Sequence, residues 1–283
     1  MFIIIPLLAV IVLGGIYVTF YRFIHPPRFP KKKVPEDLAI DYKDVTFESA
    51  DGFKLRGWFI EAEKETDKVI IICHGYRANK THALDWGLFL RQKYNLFYFD
   101  FRTHGRSQGR VTSFGYHEVK DVQAAIDYLK RRPDLDPNKI GVMGFSLGGI
   151  TGLLKVTEGK DIKAIVADSV CANLSSVIKV YHDYHWLKWA VINMGKFCFH
   201  RFLKFNTEDI SLEKKAELIK TPTLLIHAKD DPIIPSQNSQ LLYEKLLGPK
   251  EIWLSDSAEH GKTYYLFKKE YEKKVLKFFN EYL

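Results

Sequence analysis

A serine flanked by glycines, in Gly144-Phe145-Ser146-Leu147-Gly148, stands where an apolar strand (Ile140 to Phe145) gives way to a helix beginning near Leu147. A sharp strand-to-helix turn exposes a serine Oγ, and small residues let the two elements pack closely around it. The string alone is a weak signal, and a glycine-rich turn with a bystander serine is the bland alternative; the strand–turn–helix setting makes the signal strong. A serine hydroxyl is a poor nucleophile at neutral pH and needs a base to take its proton. Of the ten histidines, His260 is the best placed, after the last apolar strand and before the C-terminal helix, although a surface histidine in a polar loop would look the same. The acid that orients such a base should follow the penultimate strand, where Thr223 to His227 runs into Ala228-Lys229-Asp230-Asp231-Pro232-Ile233-Ile234-Pro235. Both aspartates are candidates. Asp231 is preferred, because Asp-Pro-Ile-Ile-Pro makes a rigid turn that can fix a carboxylate; Asp230 would be solvated or capping, and Asp168, at the end of the preceding strand, is less favoured.

Attack by such a serine on a carbonyl passes through a tetrahedral intermediate, whose oxyanion needs two preorganised N–H donors, each worth about 2.7–4 kcal/mol. The backbone amides of Leu147, beside the nucleophile, and of Tyr76, after Cys73-His74-Gly75, are the natural pair, with His74 itself structural. No metal is expected, since Cys73 with His74, and His182 with His185, lack further ligands at suitable spacing. Cys73, Cys171 and Cys198 are odd in number and show no CxxC spacing, so neither a disulfide framework nor a zinc site is implied.

These groups need a scaffold that brings several loops to one edge. Short strands at Val45 to Ser49 and Leu55 to Ile60 flank Asp51-Gly52, a dipeptide suited to a hairpin turn. Further apolar strands at Val69 to Cys73, Leu96 to Phe101, Ile140 to Phe145, Ile162 to Ala167, Thr223 to His227 and Ile252 to Leu254 alternate with helical stretches such as Glu118 to Arg131. That alternation predicts an α/β fold, a mostly parallel sheet covered by helices on both faces. The stretch from Ala172 to Phe205 breaks it and is a candidate lid, with eight aromatics (Tyr181, Tyr184, Trp186, Trp189, Phe197, Phe199, Phe202, Phe205) and a local charge of +4. An additional helical hairpin packed on the body fits it equally well.

At 283 residues, 46% hydrophobic and 27% charged, the chain can bury one large core. Its net charge of +8 is interleaved rather than gathered into a tract, which argues against a nucleic-acid partner. From Met1 to Tyr21 no side chain is charged, and the run is long enough for a single membrane span. Arg22, Arg28, Lys31, Lys32 and Lys33 follow it, which would place the main domain in the cytoplasm. The expected organisation is thus an anchor over residues 1–22, a basic proline-rich spacer over 23–42, and a catalytic domain over 43–283 with its candidate lid at 172–205.

Ser146 in its glycine-rich elbow, His74-Gly75-Tyr76, the turn Asp100-Phe101-Arg102-Thr103-His104-Gly105-Arg106-Ser107, Asp231-Pro232 with Pro235, and His260-Gly261 together resemble the α/β-hydrolase superfamily over residues 43 to 283. Within it, the chain is similar to membrane-anchored serine hydrolases of the serine aminopeptidase-like and acylglycerol-lipase-like branch. The resemblance implies a Ser-Asp-His triad, no metal or cofactor, and hydrolysis through an acyl-enzyme. Ester hydrolysis is the first reading, and the aromatic, basic lid beside a membrane anchor points to a small-molecule or lipid acyl substrate drawn from the bilayer. Peptide or amide hydrolysis is the alternative, since fold and triad do not choose a leaving group; a catalytically silent interaction module is a further one. Thr103-His104 depart from the usual pattern of the structural turn, and the lid matches no motif of the superfamily.

Overall fold

The computed structural model describes residues 14–15, 17–29, 33–177, 193–256 and 259–283. Eight strands form one sheet: β1 (Lys43–Glu48), β2 (Lys54–Ile60), β3 (Val69–Cys73), β4 (Asn95–Asp100), β5 (Ile140–Phe145), β6 (Ala164–Asp168), β7 (Thr223–Ala228) and β8 (Lys250–Ser255), in the order β1-β2-β4-β3-β5-β6-β7-β8. β1 and β2 pair antiparallel around Gly52, whose φ of +85° is one that a side chain would resist. β2 meets β4 antiparallel, and every pairing from β4 through β8 is parallel.

Side chains of β3 alternate between the two faces: Val69, Ile71 and Cys73 join one apolar cluster, Ile70 and Ile72 the other. The first cluster is completed by the helices Glu118–Lys130, Leu147–Val156 and Gln237–Lys245, the second by Lys80–Gly87 and Lys268–Tyr282. The sheet is therefore covered on both sides, which is why β3 and β4 are buried along their whole length. Strand order reverses at β3, with β4 on one side and β5 on the other, and such a reversal opens a crevice beyond the carboxyl ends of the strands.

The expected membrane anchor, and the cytoplasmic placement deduced from it, are corrected. Among the described residues no helix is long and apolar enough to cross a membrane. Residues 1–13 lie outside the described residues, and the described helical stretch 17–24 meets protein along one side, where Phe20 and Ile24 are buried in the same cluster as β3 and the helix Leu147–Val156, while Tyr17, Val18, Tyr21 and Phe23 are exposed. Of the candidate lid, residues 178–192 lie outside the described residues. Its remainder ends in one π-helical turn, Phe199–Leu203, with Phe199 and Phe205 buried and Phe197 and Phe202 exposed.

Candidate active site

Ser146 joins β5 to the helix Leu147–Val156 with φ 49° and ψ −113°, a conformation that favours glycine. It is pinned from both sides. Its N–H donates to the Asp168 carbonyl at 2.8 Å, continuing the β5–β6 register, and its own carbonyl accepts from Ile150 N at 2.9 Å, opening the helix. The neighbouring glycines allow the crowding: a Cβ on Gly144 would lie 2.5 Å from the Gly148 carbonyl carbon, and one on Gly148 would drive into the backbone carbonyl of Cys73. Leu147 is the first residue of that helix, so its amide has no carbonyl one turn back to donate to.

Tyr76 follows β3. The buried His74 donates from Nδ1 to the Gly75 carbonyl at 2.8 Å and accepts at Nε2 from Phe101 N at 3.1 Å. Burial first, then the neighbouring His104, push its pKa down to about 3, so the ring is neutral. The Gly75 carbonyl and the Tyr76 N–H are opposite ends of one trans peptide plane, and fixing the first aims the second.

His260 lies on the loop after β8, partly exposed, with Nδ1 2.6 Å from Asp231 Oδ2. Its ring meets that of Phe145, the residue before Ser146, with centroids 5.0 Å apart. A Cβ on Gly75 would lie 2.8 Å from the same phenyl ring and one on Gly261 2.5 Å from it. The loops after β3, β5 and β8 thus close on one aromatic side chain, bringing Tyr76, Ser146 and His260 to the same carboxyl edge.

Asp231 follows β7 and is buried. Its Oδ1 accepts from Ile233 N and Ile234 N, both at 2.8 Å, and its Oδ2 also lies 3.4 Å from His227 Nε2. Burial alone would raise its pKa; the hydrogen bonds from His227 and His260, the charge on His260 and the Ile234 amide together hold it well below the usual carboxylate range. Asp168 is engaged elsewhere, accepting from Ser169 Oγ at 2.8 Å and from the Tyr271 hydroxyl at 2.9 Å, and burial raises its pKa. Asp230 is exposed.

Sequence reasoning passed over two groups that shape this edge. His227 donates from Nε2 to the Ile234 carbonyl at 3.0 Å and accepts at Nδ1 from Ser239 Oγ at 2.6 Å, bracing the Asp231 turn. Glu118 receives Thr112 Oγ1 (2.8 Å), Ser113 N (3.0 Å), Ser113 Oγ (2.5 Å) and Gly115 N (2.9 Å), shaping the turn that carries Phe114. A glutamate at a helix start just after Thr-Ser is the signal that was available. A separate groove of about 760 Å³, lined by Glu48, His117, Asp127, Arg131, Glu158 and Lys215 among others, contains none of Ser146, Asp231 and His260. No cluster of potential metal ligands occurs among the described residues.

The prolyl oligopeptidase family matches residues 107–283, the stretch that holds Ser146, Asp231 and His260. The chain belongs to this family. Its relatives include the uncharacterised protein YqkD of Bacillus subtilis, 30% identical over 281 residues and covering 90% of each chain. The α/β-hydrolase domain-containing protein WAV2 of Arabidopsis thaliana is 28% identical over 257 residues, 84% of this chain and 82% of that one. Among solved structures, the Pyrococcus furiosus esterase Pf2001 is similar over 91% of this chain and 99% of its own, at 30% identity and a TM-score of 0.74. This member of the prolyl oligopeptidase family is thus an α/β-hydrolase in fold and an esterase-like serine hydrolase in class.

Proposed function

We propose that the protein hydrolyses small-molecule carboxylic esters through an acyl-enzyme, with Ser146 as nucleophile, His260 as base and Asp231 as its orienting acid. The observation that carries this reading is the 2.6 Å contact between His260 Nδ1 and the buried Asp231 carboxylate, beside the strained turn of Ser146. Nδ1–H is the donor in that contact, which leaves Nε2 free of its proton and able to take one from the Ser146 hydroxyl. Oγ then adds to the ester carbonyl, and the amides of Tyr76 and Leu147 receive the oxyanion. His260 returns the proton to the leaving alkoxide, and a water activated by the same imidazole releases the acid and regenerates Ser146. The low pKa of Asp231 keeps it charged throughout, so it stabilises the imidazolium without taking the proton itself.

Amide hydrolysis is a second reading, favoured by the family to which the chain belongs. The two separate when p-nitrophenyl esters and p-nitroanilides of the same acyl group are compared, and the ester is expected to have the higher kcat/KM.

The nucleophile is tested with a fluorophosphonate probe. Native protein should label; Ser146→Ala should not, and His260→Ala should label slowly. Absence of labelling in the native protein, or labelling that survives Ser146→Ala, would overturn the assignment.

A further inference from the structure

The segment 17–29 lies against the reaction edge. The Phe23 carbonyl accepts from the Tyr76 hydroxyl at 2.7 Å, and the Phe29 carbonyl from Asn79 Nδ2 at 3.2 Å, both donors on the loop after β3. The Ile24 carbonyl accepts from Thr112 N at 2.9 Å, and the Arg28 guanidinium donates to the carbonyls of Gly105 (2.7 Å) and Gly109 (3.0 Å). The segment is thereby fastened to the three stretches that follow β3, β4 and Gly109.

Its rings join those of the site. Phe23 stacks on Phe114 with centroids 4.3 Å apart and meets Tyr76 at 5.8 Å; Tyr76 meets Phe114 at 5.1 Å. Phe114 continues to Phe199 at 6.1 Å, and Phe199 to Phe20 at 5.3 Å. These five side chains form one apolar wall that starts at the residue whose amide is the candidate oxyanion donor. Their sole polar group, the Tyr76 hydroxyl, is taken up by the Phe23 carbonyl, so the wall offers a ligand apolar surface. Phe23 keeps 41% of its surface exposed, which leaves ring area for a chain to cover.

We propose that residues 17–29 are part of the active site: with Phe114 and Phe199 they form the wall on which a linear alkyl acyl chain lies, and through the Phe23 carbonyl they hold the Tyr76 side chain so that its amide faces the oxyanion. The proposal rests on the acyl-enzyme reading with Ser146 as nucleophile. Phe23 is then a specificity-determining residue and the Tyr76 side chain a positioning group.

The test reacts the full chain with ethyl and octyl fluorophosphonates, in parallel with the p-nitrophenyl acetate and octanoate pair. Phe23→Ala should lower the octyl-to-ethyl rate ratio about tenfold, the size expected when apolar cover is withdrawn from several methylenes, and Phe23→Leu should restore most of it. Tyr76→Phe should slow both reagents about tenfold by loosening the donor peptide, and should lower kcat for the acetate more than it raises KM. An unchanged ratio in Phe23→Ala, or native rates in Tyr76→Phe, would overturn the proposal. A native chain that labels at Ser146 but cleaves no ester refutes the ester reading, while the two labelling rates still decide the wall. A native chain that reacts with neither reagent refutes both.

Discussion

Asp231 is the residue on which the proposed chemistry turns. Its carboxylate is shared among the imidazole of His260, two backbone amides and the flank of His227, so one oxygen serves the loop and the other the base. Asp231→Asn preserves the size of the side chain but turns an acceptor into a donor at Nδ1, favouring the wrong imidazole tautomer. Ester turnover should fall by about 10³–10⁴-fold while Ser146 remains present and the fold intact, as read from kcat and from circular dichroism. A loss below tenfold would mean that another carboxylate serves the base. The sequence places Asp168, Asp230 and Asp231 all just beyond strands, and spacing alone does not say which side chain reaches His260. That choice depends on the neighbours that occupy the others, Ser169 and Tyr271 for Asp168 and solvent for Asp230, and these lie far apart along the chain.

At the scale of elements, a sequence pattern marks each of the eight strands: continuous apolar runs mark central strands such as β3 and β4, which are buried on both faces, while alternation and a turn dipeptide mark the edge strand β1. β3 and β5 keep their expected ends, and the others move by one or two residues, as for β8, which spans Lys250–Ser255 where the apolar run alone suggests Ile252 to Leu254. Strand order was beyond reach: nothing local in Leu96 to Phe101 says that β4 pairs with β2 on one side and β3 on the other. The N-terminal run suggests a membrane span because it carries no charge; among its described residues Phe20 meets the core while Tyr17, Val18 and Tyr21 are exposed, and spacing alone does not tell which side of a helix protein covers. The turn before the helix Glu118–Lys130 gives a prediction of its own. Glu118→Ala would leave the buried Ser113 and Gly115 amides without an acceptor, at about 1–3 kcal/mol each. The urea midpoint should drop accordingly and Glu118→Gln should recover part of the loss; a midpoint within error of native would show that water takes the place of the carboxylate.

Over the whole molecule, burial sets how stability responds to acid. Unfolded, the imidazole of His74 takes up a proton below about pH 6.5, whereas in the fold it does so only near 3. The unfolded state therefore binds more protons between those values, and stability falls as pH falls through that window. His104, whose pKa is also lowered by burial, acts in the same direction. Asp231, held below the carboxylate range, adds a further loss only once the pH falls below about 4, where the unfolded carboxylate protonates first. Burial raises the pKa values of the Asp121 and Asp168 carboxyls, which oppose part of the loss from the imidazoles over the same range. Urea midpoints should decline between pH 6.5 and 5 where the two imidazoles outweigh these carboxyls; a midpoint that does not fall there would mean that the imidazoles do not set the response to acid.

The docking of residues 17–29 has a consequence for how the chain is made. Phe20 leaves the ribosome early, but its partner Phe199 follows roughly 180 residues later, an interval of about 10–40 s at ordinary translation rates. Phe23 and Ile24 wait a shorter time, for Tyr76, Thr112 and Phe114, roughly 50–90 residues further on, while the Phe20 ring waits for Phe199. Phe20 thus waits for a partner on a distant stretch of the chain, and until that stretch is made its ring stays open to solvent or to a chaperone.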